Sequence, residues 1–299
     1  MLQRGFNIHK RLSQISQGPF YQHYVKLPTL ETPLSAIIQD NPKFFPFFQN
    51  VIGAIDGTHI NAHTSALERH INQDQKGGIT QNCLFACDME FRFIYGLTGF
   101  EGSAADSSIY HHTRLLDFTI PPGKHYLADA GFPACDALLV PYRGVRYHLA
   151  EWGRAGIRPA NKEELYNLRH AQLRNIVERI FGVVKKWWSI LDRPLEFDMD
   201  IQVRIPSGLI AVHNFILEYD GCNLQHYLDM PELGSYGRPS SQTGPVGQDA
   251  FGQGSIPRLE YNCAVAYRNQ IAGQMWEQYQ QFLHDHPKVL DQEFDPEEI

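Results

Sequence analysis

Apolar and polar positions along the chain mark out a run of short strands followed by long helices. VIGAIDGTHI, residues 51–60, is apolar and β-branched up to an Asp-Gly pair, the pattern of a buried strand that ends in a turn. ITQNCLFACDM (79–89) and FRFIYGLTGF (91–100) read as two strands of a hairpin parted by Glu90. EGSAADSSIYHHTRLL (101–116) changes to helical spacing, with Asp106 or Ser107 placed to cap the first turn. HYLADAGF and ALLVPY are two further short strands. Residues 161–188 are the longest periodic stretch. Leu165, Leu168, Ile176, Ile180, Val183 and Trp187 recur near helical spacing and predict one long amphipathic, basic helix. Another helix is predicted from about Ile205 to Asp220. The order is therefore β-β-β-α-β-β-α-α.

The flanks read differently. Residues 1–49 are weakly periodic and predict one or two short helices, an N-terminal helical remnant before an α/β domain at 50–220. Residues 221–258 are rich in Gly, Ser, Pro and Gln and predict a flexible linker. Residues 259–299 regain helical character, with Ile271, Met275, Tyr279 and Phe282 on one face, and end in the acidic tail DQEFDPEE.

Composition narrows the class. With 299 residues, 43% of them hydrophobic, the chain can bury a sizeable core. It has no apolar run long enough to predict a membrane span, and MLQRGFNIHKRLSQ has no apolar core of a secretory signal. Five scattered cysteines predict free thiols in a reducing compartment. The net charge of −7 argues against a nucleic-acid binder until its distribution is considered. Residues 222–299 hold 4 Lys/Arg against 11 Asp/Glu, which accounts for the whole excess. Residues 143–193 hold 11 basic against 5 acidic residues, a local footprint for phosphate. A solvated helix surface explains the same charges equally well.

Three acids stand out. Asp56 and Asp129 each follow an apolar strand and precede small residues, so a ligand backbone can approach closely. Carboxylates are hard ligands suited to Mg²⁺ or Mn²⁺. Glu178 lies in the middle of the long helix. Taken alone, each acid has an ordinary reading: turn aspartates satisfied by backbone N–H groups, and a helix glutamate paired with Arg174 four residues earlier. Asp88 reads as a turn residue. His59 and His63 follow a strand rather than share a helix face, and Cys83 and Cys87 have no partner pair downstream, so neither set predicts zinc.

The strings IGAIDGTHI, KGGITQNCLFACD, GSAADSSIY, YLADAGFP, LLVPYRG and YNLRHAQLRNIVERIFGVVKKWW occur in one order over roughly residues 50–217. In that order they resemble the DDE domain of Harbinger (PIF-type) transposases and the nucleases derived from them. The resemblance implies a ribonuclease-H-like mixed sheet flanked by helices, with Asp56, Asp129 and Glu178 as the catalytic, metal-binding triad. It implies two divalent cations, Mg²⁺ or Mn²⁺, and DNA phosphodiester hydrolysis, with strand transfer by the freed 3′-OH as a further step. His59, Asp106, Arg143, Arg174 and Lys185 become candidates for residues supporting the acids or touching DNA, beside Arg146, Arg154, Arg158 and Lys186. The resemblance further implies a nuclear location, with the cytoplasm as alternative, a separate DNA-binding partner protein, and a homo-oligomer. Only 55 residues precede Asp56, so most of the family's N-terminal helical region is expected to be missing, as in a truncated or domesticated product. A domesticated, non-catalytic interaction protein that keeps the fold is the alternative function.

Overall fold

The computed structural model describes residues 16, 18–64, 78–149, 151–152, 158–193, 196–220, 227, 256–291 and 294. The expected linker and acidic tail fall almost wholly outside these residues, as do Cys222 and Arg154. The elements are α1 (Pro19–Tyr24), α2 (Ala36–Gln39), β1 (Val51–Asn61), β2 (Thr80–Cys87), β3 (Phe93–Glu101), α3 (Asp106–Leu116), β4 (His125–Leu127), β5 (Leu138–Leu139), α4 (Lys162–Trp187), α5 (Met199–Tyr219) and α6 (Arg258–Asp285). Short 3-10 turns follow α4 and α6. The five strands form one sheet in the order β3-β2-β1-β4-β5. It is mixed: β1–β2 and β2–β3 run antiparallel, β4–β5 parallel. Helices flank it, which meets the expected α/β class. No described helix is long and apolar enough to cross a membrane.

The chain divides into two compact units. The first comprises Met1–Thr29, Ala54–Ile120 and Arg179–Met230. Its centre is β2, buried at all eight positions because TQNCLFAC is covered on both faces. β1 pairs with β2 from Ala54↔Cys87 to Asn61↔Thr80. Asp56 therefore lies inside the strand, opposite Phe85, and not at its end as the Asp-Gly pair suggested. The pairing carries the strand on past the apolar run. Phe85, Phe93 and Phe181 form a ring cluster with centroids 5.6–6.2 Å apart. Asp88 is the turn residue expected: its Oδ1 accepts the N–H groups of Glu90 and Arg92, at 2.8 and 2.9 Å. Helix α5 packs on β3 and begins at Met199, not Ile205, with Pro206 inside it. Proline has no N–H, so it frees the carbonyl of Gln202. The buried Gln81 side chain donates to that carbonyl at 3.1 Å. A contact 121 residues away in sequence thus makes the proline tolerable.

The second unit comprises Leu30–Gly53, Pro121–Glu178 and Pro231–Ile299. β4 pairs with β5, Tyr126↔Leu138 and Leu127↔Leu139, and its first residue, His125, donates its N–H to the Asn50 carbonyl at 2.9 Å. Most of α4 lies here, with Leu165, Leu168, Ile176 and Val177 buried as their spacing predicts. α6 also belongs to this unit. The Arg268 guanidinium lies 4.0 Å from the Tyr142 ring centroid and donates to the Pro141 carbonyl at 3.1 Å. Gln278 accepts from Arg169 and donates to the Pro42 carbonyl, each at 3.2 Å. Ile271, Met275 and Tyr279 are buried on this face, whereas Phe282 is exposed and stacks on His286.

Candidate functional site

In the first unit Asp56 is partly exposed, and its Oδ1 accepts the N–H of Gly57 at 3.0 Å. Gly57 has a steric role. A Cβ there would sit 2.0 Å from Asp106 Oδ1, so only glycine lets that carboxylate lie against β1. Asp106 does not cap α3 as expected. The N-cap position is Ala105, which makes no side-chain cap bond, and Asp106 is the first helical residue. Its Oδ1 instead accepts from Asn82 Nδ2 at 3.0 Å, while the same amide also donates to the Ala104 carbonyl at 2.9 Å. The charge of Asp106 still suits the start of a helix.

His59 lies within β1, not after it, opposite Asn82; its Nδ1 is 3.0 Å from Thr80 Oγ1. Lys185, near the end of α4, donates to Thr58 Oγ1 at 2.9 Å and reaches the His59 carbonyl at 3.4 Å. Lys185 is thus anchored to the strand that carries Asp56.

In the second unit Asp129 stands two residues past β4. Its Oδ1 accepts the N–H of Gly131 at 2.7 Å, an Asx-type turn that the small Ala130-Gly131 pair permits. Arg143 donates to the Ala130 carbonyl at 2.6 Å and so braces that turn. Glu178 is paired: Arg174 Nη1 donates to its Oε1 at 2.7 Å, with the arginine 5% and the glutamate 34% exposed. This is the i,i+4 pair that the helix spacing allows.

Asp129 and Glu178 act on one common group. The buried Tyr147 hydroxyl is held well above the usual tyrosine range by its burial; Arg174 pulls it down, while Glu178 and Asp129 push it up. Tyr147 is also 3.0 Å from His170 Nδ1. Burial drives the His170 imidazole down to about 3, so it is neutral. Neither residue was a candidate from the sequence. His170 had a signal, since it precedes Arg174 and Glu178 at i, i+4 and i+8 on one helix stripe. Tyr147, in a loop, had none.

Carboxylate oxygens suit a hard divalent cation by donor type. Among the described residues, however, no group of three or more His, Cys, Asp and Glu side chains stands ready to hold a metal ion. Of the basic candidates, Arg143 and Lys186 are exposed. Arg146 lies over the Trp152 ring at 4.4 Å, and Arg158 donates to the Val289 carbonyl and lies over Phe294.

Mixed sheet, flanking helices and strand- and helix-borne acids define a class that comparison with known proteins names. Residues 55–214 match the DDE superfamily endonuclease family, so the chain belongs to it. That segment contains Asp56, Asp129 and Glu178.

The chain is also similar to three proteins named "Putative nuclease HARBI1". The Xenopus laevis protein is 22% identical over 176 residues, 57% of this chain and 47% of the relative. The Homo sapiens protein is 23% identical over 203 residues, 66% and 54% respectively. The Rattus norvegicus protein is 25% identical over 175 residues, 56% and 46%. The chain thus spans about half the length of the curated relatives it matches. No solved structure matches it. The resemblance drawn from the six sequence strings is met by these findings.

Proposed function

We propose that this chain is a divalent-metal-dependent DNA endonuclease of the DDE transposase type, with Asp56, Asp129 and Glu178 as its catalytic acids. The observation that carries the reading is that all three lie within the segment that matches the endonuclease family. Two of them, Asp129 and Glu178, also bear on the same buried hydroxyl. The three carboxylates would hold Mg²⁺ or Mn²⁺. Such ions, when bound, polarise a scissile phosphate and lower the pKa of an attacking water. The protein's own contribution is positioning. Gly57 lets Asp106 and Asn82 brace the strand of Asp56, Arg143 braces the turn of Asp129, and Arg174 orients Glu178. Arg143 and Lys186, exposed and basic, are the first candidates for phosphate contacts. On this reading the protein acts in the nucleus, on DNA, as an oligomer or with a DNA-binding partner, and strand transfer by the freed 3′-OH follows cleavage.

One observation favours a second reading, a domesticated protein that keeps the fold without cutting. Arg174 already occupies one oxygen of Glu178. Supercoiled plasmid incubated with Mg²⁺ or Mn²⁺ separates the two. Nicking by wild type and not by Asp129→Ala supports the endonuclease; equal nicking by both, or by neither, overturns it, and nicking by neither is what the non-catalytic protein predicts.

A further inference from the structure

The second unit holds a contact that the cutting chemistry does not use. Past α6 the chain turns through Pro287–Asp291 and brings Phe294 into a buried seat, where it is 5% exposed. Its ring packs edge-on against the fully buried Trp152, with centroids 6.3 Å apart. Arg158 grips the same stretch twice: its guanidinium lies 5.5 Å from the Phe294 ring centroid and donates to the Val289 carbonyl. Arg146 lies over the Trp152 ring at 4.4 Å. Charge makes this more than packing. Residues 143–162, which supply Arg146, Trp152 and Arg158, hold five Lys/Arg against one acid, Glu151. Residues 291–299, around Phe294, hold five acids and no Lys or Arg. An apolar anchor within an acidic sequence is thus seated against a basic stretch. Both contacts that Arg158 makes to it are to neutral groups, a carbonyl and a ring. A phosphate offers the same guanidinium a charge-assisted, two-pronged pair. Burial of Phe294 favours the seated state and phosphate the unseated one, so the two compete for one arginine.

We propose that residues 287–294 are an autoinhibitory strap. Seated through Phe294, the strap occupies Arg158 and tethers the acidic sequence to the basic stretch, where it repels DNA phosphates; DNA binds the second unit once the strap lifts. The inference rests on that part of the reading above in which the chain meets DNA, and needs neither metal nor cutting. Linkage gives it two consequences. A ligand that binds only the lifted state has its apparent affinity reduced by the lifted fraction. By reciprocity, that ligand must also raise the lifted fraction.

The test uses the full chain in EDTA at fixed salt, with a short fluorescein-labelled DNA duplex of arbitrary sequence as the probe. Phe294→Ala removes the anchor without changing charge, which separates seating of the strap from net electrostatics. It is expected to bind the duplex about 10-fold more tightly than wild type, as for a strap lifted about one-tenth of the time. Phe282→Ala is the control, since that ring is 40% exposed and stacks on His286; it should bind as wild type does. A second measurement needs no variant and so stands even if Phe294→Ala fails to fold. The Val289 N–H donates to the His286 carbonyl at 3.0 Å. Hydrogen exchange over residues 288–291 of wild type should quicken when the duplex is added. Equal affinity for wild type and a folded Phe294→Ala, no binding by either, or exchange that DNA leaves unchanged or slows would overturn the strap. Nicking is judged separately with Asp129→Ala. A chain whose strap responds to DNA but which does not cut keeps the strap and loses the endonuclease reading, and a chain that cuts with an unresponsive strap does the reverse.

Discussion

Gly57→Ala places a methyl group where the Asp106 carboxylate already sits. The new Cβ would lie 2.0 Å from Oδ1, 2.4 Å from Cγ and 2.8 Å from Oδ2. Real Cβ contacts essentially never fall below 3.0 Å, so Asp106 must move by about an ångström. It cannot do so freely, because it is the first residue of α3 and its Oδ1 accepts from Asn82, which is 1% exposed. Overpacking of this kind costs about 1–3 kcal/mol. Losing a charge-assisted hydrogen bond at a buried amide adds about 1–2 kcal/mol, since Asn82 keeps its bond to the Ala104 carbonyl. The expected loss is about 2–5 kcal/mol, read from denaturant midpoints at constant slope. A double-mutant cycle isolates the cause. Asp106→Ala removes the atoms that clash, so Gly57→Ala should cost less in that background, with a coupling of about 1 kcal/mol or more. Strict additivity, or a Gly57→Ala variant within about 0.5 kcal/mol of wild type, would refute the close approach of Asp106 to β1.

Other consequences follow from single contacts. Gln81→Met leaves the Gln202 carbonyl, freed by Pro206, without its donor, and should cost about 1–3 kcal/mol in thermal or chemical denaturation; Pro206→Ala in that background restores the helical N–H and should recover part of the loss. Tyr166→Phe should fall within about 0.5 kcal/mol of wild type or above it, because the deleted hydroxyl is buried without a hydrogen bond; a larger loss would show a partner. His213 and His170 are held neutral by burial, at about 4 and about 3 against an ordinary 6.5. The unfolded chain therefore binds their protons first as pH falls below 6.5. Stability should be full above that value and decline toward pH 4, by up to about 1.4 kcal/mol per pH unit for each histidine. His213→Gln should flatten that slope, and an unchanged slope would contradict the assignment.

What the sequence made legible depended on the range of the interactions involved. Helix α4 was predicted at 161–188 and spans 162–187, because its apolar period is local and long. β1 ran beyond its apolar segment because pairing with β2, and not side-chain polarity, sets where it stops. The start of α5 was misplaced because Pro206 reads as a helix boundary unless a distant Gln81 is known to satisfy the freed carbonyl. Asp106 looked like a cap because Asp before a helix usually is one; its real partner is an asparagine on a strand. Of the three acids, Asp56 and Asp129 were visible as polar breaks in apolar runs. Glu178 was indistinguishable from a helix ion-pair partner, and in the structure it is one. The resemblance of the surrounding string is what marked it as more. Tyr147 lay beyond reach, since its contact with His170 is a tertiary one that no spacing encodes.

The central claim is that Asp56, Asp129 and Glu178 act together as the acids of a metal-dependent nuclease. The most direct measurement is the initial rate of plasmid nicking in Mn²⁺ for wild type beside Asp56→Ala, Asp129→Ala and Glu178→Ala, with folding of each verified by circular dichroism. The account predicts metal-dependent nicking by wild type and background rates for all three variants. Wild-type activity in any folded one of the three would contradict it.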